Sequence, residues 1–152
     1  MKQEVLFLLL NDYADWEGAF LSISLNAGVL PGNEVKYISK TVAPTLDEVR
    51  SIGGFRTVPD YSFQTMPADY AALVLIGGMQ WQSPESELVV PIVQDALQRG
   101  KIVGAICNAS AFMGAHGFLN DVKHTSNTLP YLKQFAGSAY TNEAGYQEKQ
   151  AV

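Results

Sequence analysis

Cys107 is the only cysteine among 152 residues, and its neighbours are those a nucleophile needs. Before it runs Ile102-Val103-Gly104-Ala105-Ile106, an apolar stretch of the length and kind of a strand buried on both faces. After it the period turns helical. Ala109, Phe112, Met113 and His116 fall at i, i+3, i+4 and i+7, and Gly117 stands where a helix end takes a left-handed residue. Cys107 therefore lies where a strand turns sharply into a helix. Ala105 and Ala109, two residues away on either side, are small enough for the tight turn of a nucleophile elbow. Such a turn projects the thiol from the carboxyl end of the sheet, where open α/β sheets bind ligands. It also puts the sulfur at the positive end of a helix, which favours the thiolate. A lone cysteine often serves only as a small apolar core residue; here the flanking small residues favour chemistry.

A second stretch carries polar backbone to the same end of a sheet. Ala71-Ala72-Leu73-Val74-Leu75-Ile76 reads as a buried strand, and it ends in Gly77-Gly78. Paired glycines at a strand end let the backbone approach a ligand, and their N–H groups can face a developing oxyanion. Trp81, just beyond, is placed either as a pocket wall or in a dimer interface. Glu17 falls in the first turn of an expected helix from about Trp16 to Ala27, a position that the helix dipole alone favours. Asp15 is expected as that helix's cap. His116 shares a helical face with Phe112 and Met113 and is read as structural.

The elements that must hold these groups alternate between strand and helix. Glu4 to Leu10 reads as a central parallel strand, and Glu34 to Ser39 as a second. Val49–Ile52 and Thr57-Val58 flank a Gly53-Gly54 hairpin turn. Ser83-Pro84 signals a helix start, and Val89, Ile92, Val93 and Ala96 give a helical face up to Gly100. A short helix is expected within Ser126 to Phe135 and a further strand at Ala139 to Thr141; Glu148 to Val152 reads as the opening of another. The alternation predicts an α/β fold, a doubly wound sandwich with at least four parallel strands and right-handed crossovers.

Composition narrows the function. The hydrophobic share of 47% and charged share of 16% are those of a globular domain, and the formal charge is −5 with a pI of about 4.9. With no basic stripe, a nucleic-acid partner is not expected. A single cysteine excludes an internal disulfide and fits a reducing, cytoplasmic setting. The N-terminal apolar run is too short for a membrane span, so no membrane partner is expected. No second histidine or carboxylate stands at metal-ligand spacing with His116 or His124, so neither a metal nor another cofactor is expected.

Leu75-Ile76-Gly77-Gly78-Met79-Gln80-Trp81, Ala105-Ile106-Cys107-Asn108-Ala109 and His124-Thr125 together resemble the ThiJ/PfpI superfamily, within the class I glutamine-amidotransferase-like fold. The resemblance runs over essentially the whole chain. It implies a flavodoxin-like sandwich, usually dimeric, acting on a small molecule or peptide. It gives Cys107 the role of nucleophile and makes Glu17 the carboxyl beside the thiol, expected to be protonated so that it can donate to the thiolate. Gly78 and the backbone of Asn108 become the oxyanion donors, Gly77 lines the pocket, and His124 becomes a histidine approaching the cysteine. The activities implied are protease-like hydrolysis, glyoxalase or deglycase chemistry on small aldehydes, or thiol-based redox sensing and stress chaperoning. Glutamine amidotransfer is disfavoured, because no His-x-Glu stands near the C-terminus.

Two departures stand out. The peptidase-like branch has His directly after the cysteine, where this chain has Asn108, which cannot act as a base. Family members also continue with another strand and a final helix. Residues 1–152 thus read as a single domain lacking those elements, with apolar sheet surface left uncovered.

Overall fold

The computed structural model describes residues 2–28, 32 and 34–148. Five parallel strands form one sheet: β1 (Gln3–Leu8), β2 (Tyr37–Ala43), β5 (Tyr61–Ser62), β6 (Ala72–Leu75) and β7 (Ile102–Ala105), in the order β5-β2-β1-β6-β7. The register is continuous, with Leu8 beside Leu75 and Leu75 beside Ala105, so β1, β6 and β7 end level with one another. A small antiparallel hairpin, β3 (Val49–Arg50) with β4 (Arg56–Thr57), stands apart, turning at the expected Gly53-Gly54.

Helices lie on both faces. The larger core joins Leu6, Leu8, Leu73 and Leu75 of the sheet to Val93 and Ala96 of α2 (Val90–Gln98), to Phe112 of α3 (Asn108–Ala115) and to Leu132 of α4 (Leu129–Ala136). A 3-10 turn over Pro84–Val89 leads into α2. Pro91 and Pro130 both lie in the first turn of their helices, where the missing N–H costs nothing. The opposite face of the sheet carries a smaller core of Val5, Phe7, Leu9, Val74 and Ile76. Tyr13, Val49 and α1 (Asp15–Ala27), through Gly18, pack against it, and no residue of α1 is fully buried. Phe20 is 80% exposed. Beside this helix a groove of about 590 Å³ runs past Leu21, Leu25, Val74 and Ile102.

Several local expectations give way to tertiary context. Among the described residues the strand before Cys107 is the last in the sheet order and is not buried on both faces: Ile102 is 72% exposed. The second strand lies later than its apolar pattern suggests, because Asp60 ties Lys40 and Thr41 into it. Residues 139–141 form no strand; the chain there passes out of a 3-10 turn, Gly137–Ala139. Asp15 is not a cap, since Ala14 holds that position, and its carboxylate instead accepts from the Ser51 hydroxyl at 3.0 Å. Of the expected strand at 148–152, residues 149–152 lie outside the described residues. Among the described residues no helix is long and apolar enough to cross a membrane.

Candidate active site

β7 ends at Ala105, and Cys107 follows one residue later at the N-cap of α3. Its backbone has φ 56° and ψ −122°, a left-handed conformation that a residue bearing a Cβ avoids. Three groups hold the strained turn in place. Ala109 N–H donates to Ile106 O at 3.1 Å, Ser110 N–H to Cys107 O at 3.0 Å, and the Ser110 hydroxyl to the same Cys107 oxygen at 2.5 Å. Beyond the turn α3 is buried throughout, from Asn108 to Gly114, so the elbow leads into a helix packed in the core. The cysteine itself is free and half-buried.

Gly77 lies against it, with Gly78 next in the chain. Gly77 N–H donates to Glu17 Oε2 at 2.7 Å, which brings the carboxyl of α1 to the end of β6. A Cβ at Gly77 would collide with that oxygen and would fall 2.8 Å from both Cys107 Cβ and Ile106 O. Glu17, Gly77 and Cys107 therefore converge on one point, and only glycine fits between them. A Cβ at Gly78 would meet Asp12 O at 2.5 Å. The segment after β1 is laced to this turn, Ala14 N–H donating to Gly77 O at 2.8 Å and Met79 N–H to Asp12 O at 3.0 Å.

That lacing leaves Gly78 N–H free. Asn108 N–H, at the first position of α3, likewise has no acceptor within its helix. No hydrogen bond among the described residues uses either group. The Asn108 side chain fixes the Gly78 peptide from below. Its amide donates to Gly78 O at 2.9 Å and exchanges a reciprocal pair of bonds with the Gln82 amide, at 2.6 and 2.8 Å. The Tyr131 hydroxyl donates to Asn108 Oδ1 at 2.5 Å. Burial, and after it the charges of Cys107 and Glu17, push the Tyr131 phenol above its ordinary value of 10.0, so it stays a donor.

His124 is not joined to this group. Its Nδ1 pairs with Val122 O at 2.9 Å, and its Nε2 with the Tyr140 hydroxyl at 2.8 Å. Both ring nitrogens are occupied in packing residues 124–146 together, and neither bonds the thiol. Trp81 is neither pocket wall nor interface residue. It is 2% exposed, its ring centroid 5.0 Å from that of Phe112, with its indole N–H donating to Ile76 O at 2.8 Å. It braces the end of β6 from within the core. His116, as expected, packs on Phe112.

The side chain that does reach the sulfur is Asn127, whose Nδ2 lies 3.3 Å from Cys107 Sγ. Sequence reasoning passed over it, together with Gln82, Tyr131 and the Ser110–Ser126 pair. The usable signal was Thr128-Leu129-Pro130, a helix start that pins the residues just before it: Thr128 caps α4 by accepting from Tyr131 N–H.

Among the described residues no three His, Cys, Asp or Glu side chains gather as a metal would need. The site brings together a thiol at a helix N-terminus, a carboxyl and two free N–H groups. Such an arrangement can add a thiolate to a carbonyl carbon and receive the oxyanion.

Comparison with known proteins gives the family. A sequence model described as the DJ-1/PfpI family matches residues 3–152. The chain belongs to the DJ-1/PfpI family. It is 37% identical over 151 residues to a Bacillus subtilis protein named "Uncharacterized protease YdeA", covering 99% of this chain and 71% of the relative. Among solved structures, a DJ-1 superfamily protein from Agrobacterium tumefaciens superposes with a TM-score of 0.83 at 31% identity, covering 98% of this chain and 75% of that one. A thiJ/pfpI family protein from Bacillus anthracis gives 0.84 at 29% identity, over 97% and 70%. The parallel sheet flanked by helices is thus the flavodoxin-like fold of the DJ-1/PfpI family.

Proposed function

We propose that this DJ-1/PfpI chain is a cysteine-dependent hydrolase of the protease-like kind, acting on an amide or a small carbonyl compound. The carrying observation is the strained Cys107 at the start of α3, flanked by the unused N–H groups of Gly78 and Asn108. In this reading the Cys107 thiolate adds to the substrate carbonyl carbon. The carbonyl π electrons move onto oxygen, and the two N–H groups hold that oxyanion. Collapse breaks the C–N bond, and the amine leaves with a proton given by the Glu17 carboxyl; water then attacks the thioester carbonyl, returns a proton to Glu17 and expels Cys107 as the thiolate. Glu17, held by Gly77 N–H through one oxygen, has the other free to exchange a proton with the site.

One observation favours a second reading. No imidazole bonds the sulfur, and the residue after the cysteine is Asn108, so no histidine stands ready to protonate a leaving amine. Addition to a small aldehyde expels no amine, so glyoxalase chemistry on small aldehydes has no need of that acid. Redox sensing by the same thiol needs no acid either. Turnover of a peptide panel and of methylglyoxal, each with Cys107→Ala as control, separates the readings. Peptide turnover lost in the variant supports the hydrolase, and aldehyde turnover alone supports the second reading. Absence of both, with stoichiometric oxidation by peroxide, leaves the sensor.

The apolar residues on α1, with Phe20 the most exposed, fit a homodimer formed on that face, which the mass measured by sedimentation in the analytical ultracentrifuge tests directly.

A further inference from the structure

We propose that Asn127 is the hydrogen-bond donor that stabilises the Cys107 thiolate, in the place the sequence assigns to His124. This rests on the reading of Cys107 as the nucleophile and adds to it the group that charges the sulfur. Asn127 Nδ2 lies 3.3 Å from Sγ, while both His124 nitrogens are engaged elsewhere. A carboxamide N–H donates well to an anion and does not titrate.

The placement is built. Asn127 is exposed, yet its neighbours on both sides are fixed. Ser126 is buried, and its hydroxyl lies 2.7 Å from Ser110 Oγ, which donates its own proton to Cys107 O. Ser126 is thereby the donor of that pair, and one chain of hydroxyls ties the Asn127 segment to the backbone of the elbow. On the other side Thr128 anchors α4, accepting from Tyr131 N–H at 3.2 Å and, through its carbonyl, from Leu132 N–H at 3.0 Å. Ser110 and Ser126 are accordingly positioning residues: they act on the sulfur through Asn127 and the Cys107 carbonyl.

A neutral donor has chemical consequences that an imidazole would not. It stabilises the thiolate at every pH without adding an ionisation of its own. It also has no proton to give a leaving group. Among the substrates of the proposed reaction, such a donor favours electrophiles that release no strongly basic fragment, and for an amide it leaves protonation of the amine to Glu17.

The test is the rate of iodoacetamide alkylation against pH for the full chain, where the lone cysteine gives the whole signal. Asn127→Leu is expected to move the midpoint of the profile up by about one pH unit, the size of one charge-assisted hydrogen bond. Asn127→Asp is expected to move it further, because a carboxylate repels the thiolate. Asn127→His is expected to restore reactivity and to add an inflection near about 6.5, the ordinary range of histidine. Thermal melting of each variant accompanies the profiles; a merely structural side chain changes melting and leaves the midpoint in place. A low wild-type midpoint that neither Leu nor Asp moves overturns this inference alone. A wild-type midpoint at about 8.5, the value of free cysteine, overturns the nucleophile reading with it.

Discussion

The strain at Cys107 can be weighed by two substitutions that both remove the thiol. Cys107→Ala keeps a Cβ and therefore keeps the cost of φ 56°, ψ −122°. Cys107→Gly removes that cost. Backbone conformations of this kind cost about 1–3 kcal/mol when a Cβ is present. Against this, glycine gains freedom in the unfolded chain, worth about 0.4–1 kcal/mol to the unfolded state. The glycine variant is therefore expected to be the more stable of the two by about 0.5–2 kcal/mol. This reverses the usual order, in which alanine is favoured. In a domain of this size each kcal/mol moves the melting temperature by about 2–4 °C.

Equilibrium unfolding in urea, with the two variants fitted to a common slope, reads the difference directly. Neither variant can react, so oxidation or alkylation of the sulfur does not disturb the comparison. An alanine variant as stable as the glycine variant would refute the reasoning. It would mean that the turn relaxes once the thiol is gone, and that the bonds from Ala109 and Ser110 do not hold it.

Four further outcomes follow from the same contacts. Gly77→Ala forces a methyl to within 2.8 Å of Cys107 Cβ and Ile106 O, so it is expected to lower stability in urea by about 1–3 kcal/mol and to slow alkylation by displacing Glu17. Glu17→Gln keeps an acceptor for Gly77 N–H and is expected to alkylate near the wild-type rate, whereas Glu17→Leu orphans that N–H and is expected to react more slowly. Trp81→Phe leaves Ile76 O without its indole donor in the core, at a cost of about 1–3 kcal/mol measurable by urea unfolding. Burial works against the charge on Asp60, but Thr41 N–H, the Lys40 ammonium and the Thr41 hydroxyl outweigh it and hold its carboxyl below the ordinary 3.8. The stability it contributes is then present above pH 3.8 and is lost as pH falls through the lower folded value. Asp60→Asn is expected to be less stable than the wild type at neutral pH, with the gap closing in melts below pH 3.8.

What was legible in the sequence was local. The change of period at Cys107, the small residues at Ala105 and Ala109 and the Gly77-Gly78 strand end are each set by neighbours within a few positions, and the structure contains that turn and that strand end. What was not legible depends on distant partners. An apolar run does not say whether another strand lies beyond it, so β7 reads as central although Ile102 faces outward. The later start of β2 is settled by Asp60, about twenty residues downstream of Lys40 and Thr41. His124 drew notice because histidine is a common base, yet the loop geometry that turns it to Val122 and Tyr140, and Asn127 to the sulfur, comes from the capping of α4 and the buried Ser110–Ser126 pair.

The departures from local preference are themselves grouped. Among the described residues, Asp12 and Cys107 are the two non-glycine positions with positive φ, at 57° and 56°. They follow β1 and β7 at the same end of the sheet, on either side of the Gly77-Gly78 turn that follows β6. Asp12 contributes the carbonyl that Met79 N–H binds and that excludes a Cβ at Gly78; Cys107 contributes the Cβ and the adjoining carbonyl that exclude one at Gly77. The two strained positions thus lie where they keep a Cβ from each glycine of the turn. A fold needing only a connection between β6 and α2 would have no use for two strained residues and a free amide at one end of the sheet. Such conflicts often gather at functional sites, and two of them beside the Gly77-Gly78 turn support the proposed role of Cys107.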